Sequence, residues 1–396
     1  MLFEAPKLDA RELEILEEID GLRHRLRSRL YEPRRWTGSL RRVQFARAVQ
    51  GSNSIEGYEA KLDDAMAIEM GQEALDASEE TSLAIRGYRD AMTYVLQLAE
   101  EPQFHFGEQL VKSLHFMMAH YDLKNRPGRW RAGSIFVRND ETGEVVYEGA
   151  EVDELNGLMH ELVCRLENDD ANPIIIKAAM AHLNLVLIHP FRDGNGRMAR
   201  CLQTLVLARE GIVSPVFSSI EEYLGRNTRA YYDVLALVGA GSWQPSNDAR
   251  PWIRFVLTAH LRQARTVLRR TNEIEAIYIE LDRLIERHGL PERTIDALFD
   301  AAAGLRVRRS VYRAILEGQS EDSVSEQTAT RDLQALTNAG LLVPHGEKRG
   351  RFYTAGPEIV NIRNRVVGKR DRRDDTDPFS IGATAEPGQT RLFEVN

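Results

Sequence analysis

Apolar residues recur at helical spacing through most of this chain. Leu13, Leu16, Ile19, Leu22 and Leu26 follow one another on a single helix face, with Asp9 placed to cap and Glu12 at the third helical position. Helical patterning of this kind runs on to about Leu98. It breaks at RPGRWRAGSIFVRNDETGEVVYEGA: Pro127 and Gly128 punctuate, Ser134 to Arg138 is β-prone, Asn139 to Gly143 is turn chemistry, and Glu144 to Glu148 is β-prone again. A β-hairpin inside a helical protein is expected.

Asn172 and Pro173 read as an N-cap and first helical residue, and Ile174 to Ile188 is apolar almost all round, the mark of a central buried helix. MARCLQTLVLAREG then carries Met198, Leu202, Leu205 and Val206 on one face, with Gly211 closing it. The intervening stretch IHPFRDGNGRMAR, Ile188 to Arg200, is therefore a helix-loop-helix junction within the core. From about Asn247 one or two long linking helices are expected, followed from Leu290 to Tyr353 by short helices and two β-prone pieces around a Gly, Lys and Arg turn. That order describes a winged helix-turn-helix. Beyond Gly356 the polar composition predicts a mobile tail.

The fold class expected is mainly α with one hairpin and a C-terminal winged helix. The expected divisions are 1–100 helical, 101–245 core, 246–290 linker, 291–356 winged helix and 357–396 tail. At 396 residues the chain has room for two or three such units. Lys and Arg number 52 against 60 Asp and Glu, a net charge of −8, which excludes a generally basic nucleic-acid coat but not a local patch. Two distant cysteines, no apolar run of membrane length and no signal-like N-terminus lead us to expect a cytoplasmic protein without a membrane partner.

Chemistry concentrates in the junction. The start of a helix offers unpaired N–H groups and a partial positive charge, Gly194 and Gly196 let an anion approach the backbone, and Asn195 can add a donor. Arg197 and Arg200, three apart, can reach further charge on the same ligand. One carboxylate, Asp193, among these cations suits a Mg²⁺ shared with phosphate oxygens, so the pattern favours a magnesium nucleotide. His189 just before the cradle can take the proton of an attacking hydroxyl.

HPFRDGNGRMAR resembles the Fic signature HPFx(D/E)GNGRxxR at every specified position, and the hairpin preceded by PGRWR resembles the Fic flap. Ser219 to Leu235 is similar to the segment that follows the Fic core, so the resemblance spans roughly Met1 to Val256. It implies transfer of AMP from Mg·ATP to a hydroxyl of a protein, with pyrophosphate released. His189 would then be the base, Asp193 the Mg²⁺ ligand, Asn195 and the loop N–H groups the hold on the α-phosphate, and Arg197 and Arg200 the hold on the outer phosphates. The flap, Ser134, Ile135, Phe136, Val137 and Arg138, would pair with an extended target segment. The resemblance implies a target Ser, Thr or Tyr of another protein or of the chain itself, and nothing in the motif specifies adenine.

GSNSIEGY, Gly51 to Tyr58, puts Ser52 and Glu56 on one helix face with Gly57 next. It resembles the inhibitory (S/T)xxxE(G/N) helix of some Fic proteins, which implies that Glu56 reaches Arg200 and occupies the space of the γ-phosphate. In other Fic proteins the same glutamate aligns a water that removes AMP, and the sequence does not separate the two directions. A regulator reading rests on the C-terminal unit. Leu305 to Tyr353 has eight Lys or Arg and six Asp or Glu, net +2. Thr328, Thr330, Arg331 and Gln334 would lie on the recognition helix Ser325 to Asn338, with Lys348, Arg349 and Arg351 on the wing. DNA, a docked protein and a second copy of the chain in a homodimer are all partners such a unit can serve. His115, His120, His160 and His182 lack a metal-ligand pattern and read as core or surface histidines.

Overall fold

The computed structural model describes residues 1–380 apart from 32–33, 102, 139–141, 169–170, 210, 212–213, 320–323 and 369–375. Part of the expected hairpin turn, 139–141, and most of the expected tail, 369–375 and 381–396, lie outside the described residues.

The N-terminal helices are α1 (Ala10–Tyr31), α2 (Thr37–Ser54), α3 (Leu62–Glu69), α4 (Glu79–Leu98) and α5 (Glu108–Ala119). Helix α1 starts with a reciprocal cap: the Glu12 N–H donates to Asp9 Oδ1 at 2.8 Å, and the Asp9 N–H to Glu12 Oε2 at 2.9 Å. Its buried stripe is Ile15, Leu16, Ile19, Leu22 and Leu26, whereas Leu13, expected in the stripe, is exposed. Ile15, Ile19, Leu22 and Leu26 advance by four, three and four residues, and Leu13 lies off that line.

A hairpin of β1 (Phe136–Arg138) and antiparallel β2 (Val145–Glu148) follows, then α6 (Leu155–Asn168), α7 (Ile174–Ile188) and α8 (Asn195–Ala208). Helix α7 is buried nearly throughout and packs along α8, as an all-round apolar sequence requires. It begins one residue later than expected. Pro173 occupies the cap position, and its carbonyl accepts the Ile176 and Lys177 N–H groups at 2.9 and 3.0 Å.

Next come the short helices α9 (Pro215–Ser218) and α10 (Glu221–Arg226), then α11 (Thr228–Gly239) and α12 (Arg250–His288). The expected linker is the single 39-residue helix α12, and it is core structure: Trp252, Ile253, Val256 and Leu257 are fully buried, and Trp252 donates to the Ala179 carbonyl at 2.8 Å. Arg250 and Arg254 reach back to Asp9 and Glu12, tying α12 to the start of α1.

The C-terminal unit consists of α13 (Ile295–Ala302), α14 (Arg309–Gln319), α15 (Glu326–Asn338) and an antiparallel pair β3 (Leu342–His345) and β4 (Phe352–Ala355). It packs on α2 and α3. Arg42 of α2 pairs with Asp296 at 3.1 Å, Arg306 meets Asp63, Asp64 and Asp76, and Val311 and Ile315 close on Ala67. The expected tail begins with a further helix, α16 (Pro357–Val367), which is a correction to the reading from composition. Ile359 and Ile362, three apart, are buried against α12 and α13, and that face outweighs the polar remainder. No helix among the described residues is long and apolar enough to cross a membrane.

Candidate active site

Helix α7 ends at His189, whose φ and ψ of 56° turn the chain left-handed and out of the helix. Its N–H still donates to the Leu185 carbonyl, and its own carbonyl accepts from Arg131 Nε at 2.8 Å. The backbone is thus held on both sides, as an uncommon conformation for a non-glycine residue requires. His189 Nδ1 lies 3.1 Å from the Val186 carbonyl. A carbonyl can only accept, so Nδ1 carries the proton and Nε2 the lone pair. Burial lowers the imidazole pKa below its ordinary value, which keeps the ring neutral.

The hairpin stands next to this histidine. Tyr147 is buried and donates its hydroxyl to the Leu187 carbonyl at 2.7 Å, while the Gly149 N–H donates to Ile135 and the Ala150 N–H to Ile188. Of the expected flap residues, Phe136, Val137 and Arg138 form the strand, and Ser134 and Ile135 precede it. Arg131, from the PGRWR run, ties the hairpin base to the loop: besides His189 it donates to the Gly133 and Ala150 carbonyls, and its N–H reaches Pro190. Sequence reasoning passed over Arg131; its place between a turn and a β-prone run was the available signal.

Gly194, at φ 73°, caps α8 in the left-handed region that glycine tolerates. The following N–H groups of Asn195, Gly196 and Arg197 start the helix and have no acceptor within it. Asn195 departs from its expected part. Its Oδ1 accepts the Phe191 N–H and its Nδ2 donates to the Phe191 carbonyl, both at 2.9 Å, so this buried amide braces the loop. Phe191 is buried and stacks on His115, ring centroids 3.6 Å apart. His115 accepts the Gly128 N–H at Nδ1 and donates from Nε2 to the Asp193 carbonyl, and burial takes its pKa down to about 4. It is a satisfied histidine, yet it shapes the cradle.

Arg197 and Arg200 are almost fully buried, although both are cations. Arg200 donates from Nε to Ser52 Oγ at 2.8 Å and from Nη2 to the Ser52 carbonyl at 2.9 Å and to Glu56 Oε1 at 2.6 Å. Among the described residues its Nη1 has no hydrogen-bond partner, nor does Arg197 Nε. Burial alone would raise the Glu56 carboxyl, but the Arg200 and Arg197 charges outweigh it and hold the group ionised below its ordinary range. Helix α2 delivers Ser52 and Glu56 here by crossing α10 where two glycines face each other: a Cβ on Gly225 would stand 2.7 Å from the Gly51 Cα. Gly57, at φ 83°, turns the chain away after Glu56. A Cβ on Gly196 would collide with Glu56 Oε1, so the anion that approaches the glycine cradle here is the chain's own carboxylate.

Asp193 is half-exposed, 3.8 Å from Arg197 Nη2 and 3.4 Å from Asn125 Nδ2. It borders an open cleft of about 540 Å³ whose lining includes Tyr58, Tyr121, Asp122 and Asn125. An accessible carboxylate placed directly beside the anion site, as Asp193 is, fits a Mg²⁺ brought in with phosphates. Among the described residues no group of three or more His, Cys, Asp or Glu forms a cage for a metal. The arrangement joins a neutral base, an anion cradle and unsatisfied guanidinium donors at one helix start.

Residues 105–207 match the family model described as the Fic/DOC family. The chain is 45% identical over 83 residues to protein adenylyltransferase fic-1 of Caenorhabditis elegans, which is 21% of this chain and 14% of that protein. It is 26% identical over 257 residues to protein adenylyltransferase Fic of Nematostella vectensis, 63% of this chain and 55% of that protein. The chain thus aligns with about half or less of the length of these curated relatives. Its fold is similar to a Fic family protein from Desulfovibrio desulfuricans G20 (21% identity, TM-score 0.55, covering 89% of this chain and 98% of that one). It is also similar to residues 134–508 of C. elegans Fic-1 (22% identity, TM-score 0.52, covering 65% and 72%).

Proposed function

We propose that this chain, whose residues 105–207 match the Fic/DOC family model, is an autoinhibited protein adenylyltransferase. It transfers AMP from Mg·ATP to a Ser, Thr or Tyr hydroxyl of a protein. The hydroxyl oxygen attacks the α-phosphorus, the bond to the bridging α–β oxygen breaks, pyrophosphate leaves, and His189 Nε2 takes the hydroxyl proton. The observation that carries the reading is the Glu56 carboxylate lodged at Gly196 on Arg200, an anion in the place meant for another.

Arg197 and Arg200 take the outer phosphates, and their unpartnered nitrogens supply donors ready for that charge. Asp193 holds the Mg²⁺, which neutralises phosphate charge when bound. The N–H groups at the start of α8, without the Asn195 side chain, hold the α-phosphate. The edge of β1 opposite β2 accepts an extended target segment beside His189. Removal of AMP by a Glu56-aligned water is the second reading, favoured by the ionised state of that carboxylate.

The C-terminal unit is read as a winged helix whose work is protein contact. Thr330, Arg331 and Gln334 of α15 are exposed, but Arg306 and Arg308 are spent on α3 and the segment after it. That removes two of the eight cations behind the small positive surplus. A salt-dependent shift of duplex DNA by the whole chain would restore the regulator reading.

The test uses ATP labelled at either the α- or the γ-phosphate, with wild type and Glu56→Gly. Label retained on protein from the α-position alone supports AMP transfer. Label retained from the γ-position indicates a kinase and overturns the proposal.

A further inference from the structure

Glu56 is not the only residue of its segment that meets the motif. Past Gly57 the chain returns so that the Tyr58 ring lies 5.1 Å from Arg197 Cζ, while the Tyr121 ring lies 5.9 Å from the same atom. Arg197 Nη1 donates to the Tyr121 hydroxyl at 3.0 Å, and that hydroxyl donates onward to the Tyr58 hydroxyl at 3.1 Å. The order is fixed by charge: a guanidinium can only donate, so the Tyr121 oxygen accepts and its proton points away.

Arg197 has few other holds. Its Nε is buried without a partner among the described residues, and Asp193 is 3.8 Å from Nη2, beyond a hydrogen bond. The Tyr121 hydroxyl therefore decides where this guanidinium points. Tyr121 itself is carried on a fixed segment. Asp122 accepts the Lys124 N–H at 3.0 Å and the Asn125 amide at 3.0 Å, and Asn125 reaches Asp193. One short piece of chain thus touches both Arg197 and Asp193.

We infer that Tyr121 is a positioning residue for Arg197 and that Tyr58 is a second hold of the inhibitory segment on the motif. The segment grips both arginines: Glu56 takes Arg200 by charge, and Tyr58 takes Arg197 by a relayed hydrogen bond and by its ring face. This rests on the proposed AMP transfer and adds to it. Removing Glu56 leaves a segment still docked at its other contact, and losing the Tyr121 hydroxyl leaves Arg197 with a further unpaired donor and no fixed direction.

Two variants test the inference by steady-state kinetics of AMP transfer. Tyr121→Phe in a Glu56→Gly chain is expected to raise KM for ATP roughly tenfold with kcat within about twofold, in a chain that remains folded at the assay temperature. An unchanged KM overturns the positioning role. Tyr58→Phe in the otherwise wild-type chain is expected to raise the transfer rate roughly twofold to tenfold, the range spanned by one net hydrogen bond. A wild-type rate for this variant removes Tyr58 from the hold, and it decides the matter alone if Tyr121→Phe does not fold. If Glu56→Gly itself shows no rise, the fault lies with the proposed function; if it rises while both tyrosine variants are inert, the fault lies with this inference.

Discussion

The Glu56 carboxylate approaches Gly196 so closely that no side chain fits between them. Gly196 is therefore matched to Glu56 as well as to a phosphate, and the two residues should be coupled energetically. We expect Gly196→Ala to destabilise the wild type by at least about 1 kcal/mol more than it destabilises Glu56→Gly, within the range for residues in contact. Denaturant unfolding of the two single variants and the double variant gives the coupling; additive effects would contradict the contact.

Asn195 separates a structural from a binding role. Asn195→Ala leaves the buried N–H and carbonyl of Phe191 without partners, which should cost roughly 2 to 4 kcal/mol of stability. Unfolding in urea measures this directly. A stable variant with raised KM for ATP would instead return Asn195 to the phosphate-binding part expected from the motif.

The pH dependence follows from His189. Burial lowers its pKa, so proton loss, which makes it a base, is complete at lower pH than for an ordinary imidazole near 6.5. The acidic limb of kcat/KM for Glu56→Gly should fall below about pH 6.5. Glu56 acts to raise the His189 pKa, so its removal shifts the limb in the same direction. A limb above that value would exclude His189 as the titrating base.

Asp300 gives a stability prediction at the junction of α2 and the C-terminal unit. Burial raises its carboxyl to about 7, against the pull of Arg42, and its Oδ1 has no partner among the described residues. A folded-state pKa above the unfolded one contributes stability that is present at low pH and lost as pH rises through about 7. Asp300→Asn, which cannot ionise, should raise the melting temperature more at pH 8 than at pH 5. Equal shifts at both would mean the group is not buried as an acid.

Much of this architecture is legible in residues taken singly. The all-round apolar run of α7, the cap of Asp9 with Glu12, and the glycines beside two arginines at the start of α8 each act through local chemistry that sequence displays. The parts that were not legible depend on distant partners. Arg131 matters because the His189 carbonyl is within reach, and Asn195 braces the loop because the Phe191 N–H and carbonyl both lie within reach of its amide. Leu13 and α16 show the same limit on packing: which side of a helix is buried, or whether a polar run folds at all, is settled by the surface it meets.

The central claim, that Glu56 holds the cradle against the nucleotide, is tested by the initial rate of AMP incorporation in Glu56→Gly relative to wild type. A charged hydrogen bond of the kind Glu56 makes with Arg200 contributes about 1.5 to 3 kcal/mol, so its removal should raise the rate roughly tenfold to a hundredfold. Adding His189→Ala should abolish that gain. Equal rates for Glu56→Gly and wild type, with both chains folded, would contradict the account.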